Sequence, residues 1–172
     1  MKLTIAMLSA AALVASAPAA GATAPTDPQI AHIAYTADSI DIAAGKQALA
    51  KAHDKKVRDF AKEMVRDHQA VNAKALALVK KLHVTPQDNP TSQGLTKGAA
   101  AESAKLAKLK GGAFDRAYIN NEIAYHKTVN EALENTLIPS AKNAELKSLL
   151  ETGLTLFREH QAHAEQIAKE MK

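Results

Sequence analysis

The chain has 172 residues, with 22 Lys and Arg against 18 Asp and Glu, three Tyr, three Phe, no Trp and no cysteine. Without cysteine there are no disulfide staples and no thiolate metal sites, so any transition-metal site must be built from imidazole and carboxylate. The mild positive charge is spread along the chain, and the aromatics are too few for base stacking, which argues against a nucleic-acid partner.

Residues 1–22 read as a secretory signal peptide. Met1-Lys2 is a short positive start, Leu3 to Ala17 is a mostly apolar run, and Ala20-Gly21-Ala22 is an A-x-A cleavage pattern. The run is shorter than the ~20 apolar residues of a spanning helix, and no later segment is long and apolar enough to span. The expected product is a periplasmic or secreted bacterial protein, residues 23–172, with no transmembrane anchor after cleavage. About 150 residues suffice for one domain with its own core.

Helical periodicity dominates the remainder. The first helix is predicted at about 28–52, with Pro28 in its first turn and Ile30, Ala34, Ala37, Asp41, Ala44 and Ala48 along one face. The second, about 54–83 with Asp54 as cap, carries Val57, Ala61, Met64, His68, Val71, Ala75, Leu78 and Leu82. Its steps alternate four and three, the period of helices packed almost along one another. Residues 84–94, VTPQDNPTSQG, read as loop. A short amphipathic piece follows at about 97–109, and Gly111-Gly112 ends it.

The third long helix is predicted at about 113–137, with Ile119, Glu122, His126, Val129 and Leu133 on one side and Pro139 closing it. The fourth, about 143–171, repeats the regular stripe in Leu146, Leu150, Gly153, Phe157, His160, Ala164, Ile167 and Met171. Four such helices predict an all-α four-helix bundle. Two antiparallel hairpins joined by a long crossover, 84–112, containing a short helix give the ferritin-like arrangement.

Each seam is interrupted near its midpoint by a polar residue: Asp41, then His68, then Glu122 with His126, then His160. Midpoints of helices of matched length lie at similar depth, so these five converge in one central layer. Buried ionisable groups are expensive unless paired or bound to metal. One reading is a metal site for zinc, copper or iron. A second is a metal-free cluster that fixes helix register, and a haem between two histidines is a third. A di-iron oxidoreductase wants Glu-x-x-His pairs, and the chain has none. It offers Glu122-x-x-x-His126 instead, where i and i+4 still share one face. Asp67 is expected to point about a hundred degrees away from His68 and to pair with a Lys or Arg on a neighbouring turn. His32, His53 and His83 read as surface residues, and Tyr118 and Tyr125 as packing beside Phe114. No phosphate loop, nucleophile elbow or catalytic triad is present, so no residue is assigned a catalytic role.

The stretches Ile40 to Lys46, Phe60 to His68 and Gly112 to Tyr118, with His126 and His160 beyond them, resemble the DUF4142 family of exported bacterial proteins, a ferritin-like group. The likeness covers the chain from about Asp27 onward. It implies a ferritin-like bundle outside the cytoplasm, with no established activity. Motif positions carried over are Asp67, His68, Asp115, His126 and His160. The family pattern usually has Glu where this chain has Asp41, a shorter carboxylate. The combined expectation is a binding role for a metal ion or small ligand in the central layer. A structural or stress-related interaction module and a metal-dependent oxidoreductase remain alternatives. A protein partner or a homo-oligomer is left open.

Overall fold

A computed structural model describes residues 24–171, and every regular element among them is helical. The predicted signal peptide lies outside the described residues. Helix α1 spans Asp27–Lys51, with Pro28 in its first turn and the Thr26 N–H donating to Gln29 Oε1 at 2.9 Å. A three-residue link leads to α2, Lys55–Lys81, whose N-terminal amides of Lys56 and Val57 donate to Asp54 Oδ1. That side-chain oxygen satisfies donors that a helix start leaves open.

The stretch expected to be loop through residue 94 is helical from its second proline. Helix α3 spans Pro90–Ala107. Asn89 Oδ1 accepts the Ser92 N–H at 3.1 Å, while Ser92 Oγ accepts the Asn89 N–H at 3.2 Å, a reciprocal cap. Pro90 at the first helical position lacks only an N–H that would have been unpartnered there. The proline that signals a loop is therefore a helix start.

Helix α4, Gly111–Ala132, begins on the Gly pair rather than after it, and Gly111 takes φ +54°, a region glycine enters freely. Pro139 does not close this helix. The chain passes into a π-helical segment, Leu133–Leu137, and continues as a single turn, α5, Ile138–Ser140. Pro139 has no N–H to give and crowds the preceding turn. The wider turn accommodates it, with the Ile138 N–H reaching back to the Leu133 carbonyl. Helix α6, Ala144–Glu170, starts on Asn143, whose Oδ1 accepts the Glu145 and Leu146 amides. Asp27 ties the starts of α1 and α6 together by accepting the amides of Lys142 and Asn143, each at 2.8 Å.

The long helices form a bundle in which α1 packs on α2 and α4, and α6 packs on α4 and α2, with α3 running alongside α1 in the same direction. Gly45 lets α1 and α2 approach closely. A Cβ there would sit 2.8 Å from Val65 Cγ2 and 3.1 Å from the Ala61 carbonyl oxygen. Two apolar clusters make the core. One holds Phe60, Met64, Phe114, Tyr118, Ile119 and Ile167, and the other Ile30, Ile33, Leu133, Leu146, Leu150 and Phe157. The polar layer lies between them.

Candidate metal centre

All five predicted layer residues are buried, and they meet. Asp41 from α1, His68 from α2, Glu122 and His126 from α4, and His160 from α6 are each at most 3% exposed. The rings of His68, His126 and His160 form a triangle with centroids 5.3 to 5.6 Å apart. One ligating atom from each of the three lies within 4.8 Å of the others, and the same holds for Asp41, Glu122 and His126. His68 Nε2 is 3.6 Å from Asp41 Oδ2, which joins the two groups into one constellation.

Each imidazole is held from behind. His68 Nδ1 is 2.7 Å from Asp38 Oδ1, His126 Nδ1 is 3.0 Å from the Glu122 carbonyl, and His160 Nε2 is 3.1 Å from Asp67 Oδ2. An N–H given to each of those oxygens fixes the tautomer and leaves the opposite nitrogen with a free lone pair. Those opposite atoms, His68 Nε2, His126 Nε2 and His160 Nδ1, are buried without a hydrogen-bond partner. So are both carboxyl oxygens of Glu122, with Asp41 and the Tyr118 hydroxyl close by but outside good hydrogen-bond geometry. Unpartnered buried polar atoms are rare and call for a specific cause.

Burial sets the protonation of the site. It pushes the Glu122 carboxyl up to about 8. Asp41 rises well above the usual carboxylate range through burial first, then through the negative fields of Glu122 and Asp38. Burial takes His126 down to about 3, reinforced by His68 and His160. His160 is lowered by burial and by His68, against the opposing pull of Asp67. At neutral pH the layer therefore offers neutral imidazoles at His126 and His160 and a largely protonated carboxyl at Glu122. These suit a cation, which binds the lone pairs and displaces the acid protons.

Three features lie beyond the predicted set. Asp38, one turn before Asp41, is 2% exposed and orients His68. A second acid three residues from Asp41 was the available signal, but it falls beside the seam rather than on it. Asp67 pairs with the adjacent Arg66 rather than with a cation on a neighbouring turn, and it also turns to His160, because α2 packs on α6 as well as on α1. The direction a hundred degrees from His68 is a second interface, not solvent. Arg66 is the main cause that holds the Asp67 carboxyl low. The Tyr118 hydroxyl faces Glu122 rather than serving only as packing, and Tyr125 Oη donates to the Ala37 carbonyl at 3.2 Å. Among the other histidines, His53 and His83 are exposed, whereas His32 is half-buried, 3.9 Å from Asp88.

With this geometry in place, the comparison with known families is decisive for kinship. A family described as a domain of unknown function (DUF4142) matches residues 12–167. The chain belongs to that family. No curated protein and no solved structure matches it. Of the positions that the sequence resemblance carries over, His68, His126 and His160 face the layer and Asp67 backs it. Asp115 does not take part. It sits at the end of the bundle, where its two oxygens accept the amides of His53 and Asp54 and clamp the link between α1 and α2.

Proposed function

We propose that this DUF4142 protein binds a transition-metal ion in the central layer. His68, His126 and His160 would be the nitrogen ligands, and Asp41 and Glu122 the oxygen ligands. The observation that carries the reading is the set of three buried, partnerless ring nitrogens, each on an imidazole whose other nitrogen is held by a carboxylate or a carbonyl. Metal-ligating histidines are almost always oriented in this way. The mixture of imidazole and carboxylate suits zinc, copper or iron. A metal-free layer would leave both Glu122 oxygens and three imidazole nitrogens unsatisfied in the interior, at a cost of roughly 1–3 kcal/mol for each group.

The same proposal includes a ferritin-like arrangement. It is supported by the contacts that run oppositely along neighbouring helices, Asp38 with His68, Glu63 with His163 and Lys81 with Glu145, and by the long crossover through α3. An exported location rests on the leader pattern of residues 1–22. Among the described residues no helix is long and apolar enough to cross a membrane. The role is binding; the absence of Glu-x-x-His pairs gives no support to oxidase chemistry.

The test is titration of metal-stripped protein with cobalt(II), followed by its visible absorption. Saturable bands in the wild type that His126→Gln weakens would support the site. A spectrum identical to free cobalt in buffer would remove it.

A further inference from the structure

The two halves of the bundle, on either side of the histidine layer, are packed differently. Toward Phe60, Met64, Phe114 and Ile119 the core is shut, with each of these side chains at 0% exposure. In the other half the α2 stripe continues through Val71, Ala75 and Leu78, yet all three are only half-buried. They face a cavity of about 610 Å³, bounded by α1, α2, α6 and the π-helical segment, with the start of α3 and the end of α4 completing its wall. That volume lies within the range of small-molecule sites, ~300–1,000 Å³.

The cavity has a cause in the sequence. Ala34, Ala37, Ala75 and Gly153 line it where a closed core would carry larger side chains. The π-helical turn, a geometry found often at functional sites, contributes Leu133 and Leu137 to the wall. The inner end is Phe157, whose ring stacks on His68 with centroids 4.8 Å apart and planes 20° from parallel. Anything filling the cavity would therefore rest against the back of the histidine layer. Among the described residues the one ionisable side chain in the lining is Asp38, and its carboxylate already holds His68. Among the described residues no Lys, Arg or His lines the cavity, so an anionic head group inside would find no cationic partner there. A cationic head would compete with His68 for Asp38.

From this lining we propose that the cavity is a binding chamber for an uncharged apolar small molecule, seated between α1, α2 and α6 with its inner end on Phe157. The site needs no metal and stands apart from the metal proposal.

The experiment is fluorescence titration with N-phenyl-1-naphthylamine, an uncharged dye that brightens in apolar surroundings, in EDTA. It uses wild type, an Ala34→Leu/Ala75→Leu variant that fills the chamber, and Gly153→Ala, whose added methyl meets only the Phe157 ring at 3.4 Å. Displacement by 1-dodecanol, dodecanoate and dodecylamine reads the charge preference. Expected are one saturable site in the wild type, affinity at least tenfold lower in the filled variant, and a smaller loss in Gly153→Ala. Dodecanol should displace the dye at least tenfold more effectively than dodecanoate or dodecylamine. Absence of saturable binding, or binding unchanged in both variants, would overturn the chamber. Equal displacement by either charged amphiphile would overturn its neutral specificity. Because EDTA keeps metal away throughout, the dye result bears on the chamber alone, and the metal proposal stands or falls on the separate cobalt(II) titration of metal-stripped protein.

Discussion

Replacing Glu122 by glutamine tests the electrostatic account of the layer without any metal. Glutamine is close in size but cannot ionise. In the folded chain the Glu122 carboxyl titrates near 8 against an ordinary value of 4.5, because burial disfavours its charged form. Between those values the folded state holds a proton that the unfolded state has released. The contribution is thus fully present below 4.5 and is lost as pH rises to 8, with a slope of up to ~1.4 kcal/mol per pH unit. For a domain of this size ~1 kcal/mol moves the melting temperature by about 2–4 °C, so the loss is up to about 3–6 °C per pH unit. Circular-dichroism melts of wild type and Glu122→Gln from pH 5 to 9 in EDTA would read it, and the difference between the curves isolates the group. Asp41 is displaced in the same direction, so adding Asp41→Asn should flatten the alkaline side further. His126 works from the other side: held down to about 3, it costs stability as pH falls below 6.5. The metal-free wild type should accordingly be most stable between about pH 4.5 and 6.5. A wild-type melting temperature that is flat or rising from pH 5 to 8, or a Glu122→Gln curve parallel to it, would refute the reasoning.

Further outcomes follow from single contacts. Asp38→Asn, which removes the carboxylate holding His68 Nδ1 at 2.7 Å, should weaken metal affinity by about 10–100-fold, measured by competition against a chelator. Asp115→Ala frees two amides of the α1–α2 link and should lower stability in urea by about 1–3 kcal/mol, with metal stoichiometry unchanged. Gly45→Ala should cost about 1–3 kcal/mol in the same assay, since its methyl would meet Val65 and the Ala61 carbonyl below normal contact distance. Asn89→Ala, which removes the cap of α3, should cost about 1 kcal/mol.

The seams of α2 and α6 were legible because alternating steps of four and three leave one face to bury, and a histidine on that face stands out. The layer followed from the depth of four midpoints. What the periodicity concealed depended on neighbours. Asp38 lies off the seam and matters only because α2 presents His68 to it. Asp67 reads from the sequence only as a partner for a Lys or Arg, and its link to the layer depends on α6 supplying His160. The proline-bearing segment 84–94 misled because Pro90 at a helix start and a proline in a loop look alike. Asn89 and Ser92 decide between the two only when their reciprocal hydrogen bonds form. Pro139 misled in the opposite sense, since a π-helical turn absorbed it and the helix went on to Ser140. The half-open packing around Val71, Ala75 and Leu78 was hidden by a stripe that continues unbroken through them.

The central claim is tested most directly by the metal-to-protein ratio, by mass spectrometry, of protein purified without a histidine tag, alongside a His68→Ala/His160→Ala variant. The account predicts near-stoichiometric zinc, copper or iron in the wild type and its loss in the variant. Trace metal in both, with the folded wild type taking up none of the three ions on titration, would contradict it.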